Sequence, residues 1–370
     1  MATLNKRYLQ PGERIRVLVV DDSVVIRRLV THALEQDTRI EVVGAAANGR
    51  IALDRIPQLN PHVLTLDIEM PEMDGLETLR SVRREFPHLR VIMFSTLTER
   101  GAAITLEALT LGADDYVTKA SNEGSLDRSL ARLRQELLPK IEQFFQFPSA
   151  VVSGQIKPPL LPEQCSEATS ALRNQPKAVL IGVSTGGPAA LGALLPQLPA
   201  DLPVAVLVVQ HMPPMFTRLL AERLQSICPL PVSEARNGEA IVPGRILVAP
   251  GDYHMKVTTN GAHPQVLLDQ SPPQNSCRPA VDALFASAGE AYGGAVVGVI
   301  LTGMGQDGLQ GAQILRARGA SILAQDEPSS VVWGMPGAVV NAGLADRVLP
   351  LDSMAEAILQ AAGRSISRSA

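Results

Sequence analysis

Apolar runs of strand length alternate with amphipathic runs of helical length over residues 14–147 and again over 177–362. That alternation restricts a chain to parallel sheets, because each strand must return through a crossover helix before it can lie beside its neighbour. The first stretch has strand-like runs at 16–20, 41–45, 62–66, 90–94 and 115–118. The second has them at 179–183, 206–210, 245–248, 297–301, 321–325 and 347–349. Between the two stretches, 148–176 loses its periodicity and carries Pro158, Pro159, Pro162 and Pro176, which reads as a linker. Two α/β domains with doubly wound parallel sheets are therefore expected. Residues 253–269, with Asn260-Gly261 at their centre, interrupt the second pattern as an inserted β-hairpin. The long charged helical pattern at 126–145 is expected to run out of the first domain as a connector, and 363–370 reads as a frayed tail.

Composition narrows the function classes. The 370 residues carry a net charge of −4 and only 3% aromatics, which argues against a nucleic-acid footprint or base-stacking platforms. Cys165, Cys228 and Cys277 are far apart and in no metal-ligand spacing, as expected of free thiols in a reducing cytosol. The N-terminus has no apolar signal core and no run is long enough to span a bilayer, so a cytoplasmic location is expected.

In an open parallel sheet, ligands bind beyond the carboxyl ends of the strands. In the first domain those ends carry Asp21-Asp22, Asp67, Ser95 and Lys119. Three crowded carboxylates repel one another unless a hard cation neutralises them, and Mg²⁺ suits such oxygen ligands. An Asp beside Mg²⁺ can attack a phosphoryl group, with Lys119 and Ser95 placed to hold the phosphoryl oxygens. Each acid taken singly could instead cap the helix after its strand.

In the second domain the strand ends carry a different set. Gly182-Val183-Ser184-Thr185-Gly186 fits the G-x-S-x-G nucleophile turn, with the Thr185 amide at a helix N-terminus where an oxyanion could be held. The next strand ends in His211. Its competitor as general base is His254 in the hairpin; His211 is preferred because its strand follows that of Ser184 through a single helix. The strand 297–301 runs into Gly303-Met304-Gly305-Gln306-Asp307-Gly308. Asp307 would complete a Ser-His-Asp set, or merely cap the helix that follows. The same glycines fit a dinucleotide loop, with Asp326 as the ribose-binding acid, so a nicotinamide-dependent oxidoreductase is the alternative. A carboxylate at Asp307, where a pyrophosphate would sit, argues against it. A regulator with a DNA-binding output would need a basic recognition helix, and none is found.

Asp21-Asp22-Ser, Asp67-Ile-Glu-Met-Pro71-Glu-Met-Asp74-Gly75 and Tyr116-Val-Thr-Lys119 resemble the receiver domain of two-component response regulators. The resemblance implies a flavodoxin-like fold, Asp67 as phosphoacceptor, Asp21 and Asp22 with Asp67 as Mg²⁺ ligands, and Ser95 and Lys119 as switch residues. Ala120 stands where receivers usually have proline, which puts a cis peptide there in doubt. Ser184-Thr-Gly-Gly187-Pro, Gln210-His211-Met-Pro-Pro214, Ala249-Pro-Gly-Asp252 and Thr-Gly-Met304-Gly-Gln-Asp307-Gly308 resemble the catalytic domain of chemotaxis protein-glutamate methylesterases. That resemblance implies a Rossmann-like domain that hydrolyses glutamate γ-methyl esters on chemoreceptors and deamidates receptor glutamines. Ser184, His211 and Asp307 would form its triad, supported by backbone amides near Thr185 and Met304, with no cofactor for hydrolysis. It further implies a chemotaxis histidine kinase as phosphodonor and a receiver that covers the cleft until Asp67 is phosphorylated.

Overall fold

The computed structural model describes residues 7–96, 98–119, 126–147, 175–260 and 263–363. The expectations for Ala120, Cys165, most of the linker, the hairpin's Gly261 and the tail beyond Gly363 lie outside these residues.

The N-terminal domain is a five-stranded parallel sheet. Its order is Ile40–Ala46, Ile15–Val20, Val63–Asp67, Arg90–Ser95, Asp115–Thr118. This flavodoxin-like order places the first and third strands side by side, with register Val20↔Leu66, so their carboxyl ends share one crevice. Helices form where apolar residues recur on one face and an N-cap is present. Ser23, Asn48 and Thr98 each accept a backbone N–H of the turn they open, and Asp74 with Glu77 makes a full capping box.

The helix Leu126–Glu142 departs from expectation. Its Leu133, Leu137 and Ile141 are buried with Val30 and Leu34 of the helix Val24–Glu35, so it belongs to this domain rather than extending from it. A two-residue strand, Phe145–Gln146, then pairs in parallel with Arg7–Tyr8. An apolar stripe in the helix outweighs its charge, because the sheet face beneath it must be covered.

The C-terminal domain is a seven-stranded parallel sheet. Its order is Val232–Glu234, Ile246–Val248, Ala205–Gln210, Ala178–Val183, Val296–Ile300, Ser321–Gln325, Arg347–Leu349. The first strand of the domain lies inside the sheet. The chain leaves it toward Ala205–Gln210 on one side and returns to Val296–Ile300 on the other, which makes its end the topological switch point. The inserted hairpin His254–Asn260 and His263–Asp269 forms a separate antiparallel ribbon.

The two domains share one apolar cluster. Leu106, Leu109 and Tyr116 of the first pack with Leu191, Met212 and Phe216 of the second. The Tyr116 and Phe216 rings stack at 4.8 Å between centroids and 15° between planes.

Candidate functional site

Register alone brings three loops together in the second domain. Val183 is level with Gln210, and Gly182 with Ile300, so the residues after all three strands open onto one cleft. Ser184 follows its strand in a sharp turn closed by Gly187 N–H donating to the Ser184 carbonyl at 2.8 Å. Gly186 must take φ of 79° there, and a Cβ on Gly303 would stand 2.8 Å from Ser184 Cβ. Glycine is required at both, at one for conformation and at the other for close approach.

His211 Nε2 and Asp307 Oδ2 are 2.8 Å apart. Asp307 is buried, and its oxygens also accept from the backbone N–H of Val281 at 2.6 Å, Asp282 at 3.1 Å and Gly308 at 3.0 Å. Asn275 Nδ2 donates a further bond at 2.9 Å. The carboxylate thus caps a helix, but that helix is Val281–Tyr292, not the one following it. Burial would raise the Asp307 carboxyl, but the His211 bond and the two helix amides hold it below its ordinary value. Burial also disfavours a charged imidazole; the bonds from Asp307 and then Cys277 outweigh it and raise His211 to about 9.

Ser184 lines the same cleft as His211, but no hydrogen bond joins its hydroxyl to the ring among the described residues. The nitrogen left for it is Nδ1, and Cys277 Sγ stands 3.5 Å from that atom. Sequence reasoning missed Cys277, which reaches the site from a turn 66 residues further along the chain. It missed Gln210 too, whose Nε2 donates to the carbonyls of Ser184 at 3.0 Å and His211 at 3.4 Å. The Gln-His pair at a strand end was its only signal.

His254 is set apart from the cleft. Fully buried, it accepts from Ala280 N–H at Nδ1 and meets the Pro272 carbonyl at Nε2, bracing the loop that carries Cys277. The dinucleotide reading has no room. Asp307 fills the turn with a carboxylate engaged by helix amides, and Asp326 accepts from Ser329 in its own turn. Among the described residues, the Thr185 and Met304 backbone N–H groups make no hydrogen bond within the protein, and both residues line the cleft.

The first domain supplies the opposite wall. A cleft of about 560 Å³ is lined by Ser184, His211, Cys277 and Met304 on one side and by Leu109, Asp115, Tyr116 and Lys140 on the other. Thr185 Oγ1 donates to Asp115 Oδ2 at 2.8 Å, and the same carboxylate receives Gln143 Nε2 at 3.1 Å and, at Oδ1, Lys140 Nζ at 3.1 Å. Arg218 of the second domain and Glu99 of the first pair on the surface at 2.5 Å.

In the acidic pocket, ligand oxygens of Asp21, Asp22 and Asp67 lie within 4.8 Å of one another. Lys119 Nζ sits 2.7 Å from Asp67 Oδ2 and 2.8 Å from Asp21 Oδ2. Burial pushes Asp67 up to about 6, opposed by Lys119 and reinforced by the Asp21 charge. Among the described residues the Ser95 hydroxyl makes no hydrogen bond to Asp67, although their strands lie side by side. That buried hydroxyl donates to the Thr96 carbonyl at 3.1 Å and accepts from Thr105 at 2.6 Å.

Family comparison covers both domains. Residues 17–131 match the response regulator receiver domain, and residues 179–358 match the CheB methylesterase. A protein-glutamate methylesterase/protein-glutamine glutaminase of Trichodesmium erythraeum is 49% identical over 95% of this chain and 99% of its own. One of the same name from a Nocardioides species is 51% identical over 96% of each chain. A third, from Symbiobacterium thermophilum, is 46% identical over 94% of this chain and 97% of its own.

Proposed function

We propose a function from one premise: this chain belongs to the protein-glutamate methylesterase/protein-glutamine glutaminase family, a response-regulator receiver joined to a CheB methylesterase domain. It is a regulated hydrolase of glutamate γ-methyl esters on chemoreceptor helices, releasing methanol, and a deamidase of receptor glutamines. The observation that carries the site assignment is the His211–Asp307 pair facing the Ser184 turn across adjacent strand ends.

Ser184 attacks the ester carbonyl, and its proton passes to His211 Nδ1, since Nε2 is engaged by Asp307. Asp307 holds the ring and stabilises its charged form. The developing oxyanion is held by the unengaged amides of Thr185 and Met304. Methanol leaves with the proton from His211, and water, activated by the same nitrogen, releases glutamate from Ser184. A glutamine γ-amide follows the same course with ammonia as leaving group. Hydrolysis takes no metal.

We assign 14–147 to the receiver, 148–176 to the linker and 177–362 to the methylesterase domain. Asp67 is the phosphoacceptor, and Ser95 and Lys119 are the switch residues. The donor set of three carboxylates fits Mg²⁺, which Asp21, Asp22 and Asp67 would hold. Bound there, the ion would offset the charge of the incoming phosphoryl group. The phosphodonor is a chemotaxis histidine kinase, and both partners place the protein in the cytoplasm. Among the described residues no helix is long and apolar enough to cross a membrane. Phosphorylation acts by loosening the receiver wall of the cleft.

The test is methanol release from methylated receptor by the full chain, with and without a small phosphodonor. Ser184→Ala should abolish release with the fold intact, and Asp67→Asn should abolish the response to phosphodonor. Undiminished turnover in Ser184→Ala would sink the nucleophile assignment.

A further inference from the structure

A thiol stands on the nitrogen of His211 that faces the cleft. Nε2 is taken by Asp307 at 2.8 Å, and Cys277 Sγ lies 3.5 Å from Nδ1, so the imidazole bridges a thiol and a buried carboxylate. This is the order of groups that equips a cysteine to act as a nucleophile. The thiol is held in place from two directions. Gln274 and Cys277 exchange backbone hydrogen bonds of 3.1 and 2.8 Å around Asn275 and Ser276, at φ of 50° and 62°. Asn275 Nδ2 then ties that turn to Asp307 Oδ1 and Asp282 Oδ2. Cys277 is partly exposed and lines the cleft that also holds Ser184. Gln210, in the same wall and 1% exposed, has an Oε1 that packs against Gly187 and has no hydrogen-bond partner among the described residues. Cys228 makes the contrast: burial alone pushes its thiol up to about 11.

We propose that Cys277 is a modification site for hydroperoxides, and that its oxidation switches the hydrolase off by occupying the base that Ser184 needs. This rests on the reading that Ser184 and His211 perform ester hydrolysis. In the fraction of chains whose ring is neutral, the thiol proton moves to His211 Nδ1 as Sγ attacks the distal peroxide oxygen. An S–O bond forms and the O–O bond breaks. Sulfur gives up two electrons, and the departing alkoxide or hydroxide takes the proton from Nδ1 and leaves as alcohol or water. The sulfenic acid places an oxygen against Nδ1. An external thiol would condense with it, releasing water and leaving a mixed disulfide. A second thiol would then displace Cys277 as the free thiol and leave as the external disulfide.

The experiment uses the full, unphosphorylated chain near neutral pH, with hydrogen peroxide and iodoacetamide as separate probes. Peptide mass spectrometry follows each cysteine, and methanol release follows activity. Cys277 should be modified about tenfold faster than Cys228 or more, and turnover should fall in step with its occupancy. A reductant should restore turnover after peroxide but not after alkylation. His211→Asn should slow modification of Cys277 and leave Cys228 unchanged, a readout by mass that needs no activity. Any turnover that Cys277→Ala retains should resist peroxide. Equal rates at Cys277 and Cys228, or full turnover in a chain quantitatively modified at Cys277, would overturn the proposal. If Cys277 is modified rapidly while the untreated chain releases no methanol, the hydrolase reading fails and the reactive thiol stands.

Discussion

His211 carries the sharpest conflict in the site. A general base must be neutral to accept a proton, yet Asp307 and Cys277 favour the charged ring and raise it to about 9. Since kcat/KM reports ionisation of the free enzyme, its rising limb in the unphosphorylated chain should climb with pH and level off near that value. A limb centred near the ordinary imidazole value would show that the ring is not held as described. The groups on the ring are Asp307 and Cys277, with Ser184 in the same cleft and Asp115 and Lys140 across it. Asp307→Asn keeps an acceptor but removes the charge that stabilises the imidazolium, and it should cost on the order of 10³-fold in kcat or more. The remainder of the residue-level chemistry is positional: one Gln210 amide fastens the carbonyls of both Ser184 and His211.

The helix Val281–Tyr292 and the loop before Asp307 depend on each other. Ala280 offers this helix no side-chain cap, and Asp307 supplies it from another part of the chain. Asp307→Ala should therefore lower stability toward urea by about 1–3 kcal/mol, with Asp307→Asn losing less because a carbonyl oxygen remains. Equal urea midpoints for the wild type and Asp307→Ala would show that the cap contributes nothing. The glycine turn offers a second test. A Cβ at Gly303 would meet Met335 Sδ at 2.4 Å and Ser184 Cβ at 2.8 Å. Gly303→Ala should cut turnover by about 10²-fold through displacement of Ser184, since misplacement of about 1 Å costs that much, while the domain stays folded. Retained activity would mean the methionine yields instead.

Between the domains, a buried polar bridge and an aromatic stack hold the receiver wall against the cleft. Thr185, next to Ser184, reaches the Asp115 carboxylate, and Tyr116 lies flat on Phe216. A hydrogen bond to a charged group contributes about 1.5–3 kcal/mol, and about 1.4 kcal/mol changes an equilibrium tenfold. Asp115→Ala should accordingly raise methanol release by the unphosphorylated chain roughly tenfold or more and shrink the response to phosphodonor. Unchanged basal release would mean that the apolar contacts around Leu106, Leu109 and Met212 suffice for closure.

Alternating runs and strand-end residues were enough to read two parallel-sheet domains, because crossover connections and the location of ligands at strand ends follow from local periodicity. The same logic pointed to Ser184, His211 and Asp307 as neighbours; in the structure Ser184 and His211 line one cleft, and the buried Asp307 reaches it through its 2.8 Å bond to His211. Local pattern misread the helix Leu126–Glu142, whose charge suggested an excursion but whose buried Leu133 and Leu137 keep it on the sheet. Three other features were beyond its reach: the turn of Ser95 toward Thr105, the arrival of Cys277 at His211, and the bond from Thr185 to Asp115. Each depends on where a side chain points once distant segments have packed. Periodicity encodes which face a residue occupies, but only the packed structure decides which partner that face meets.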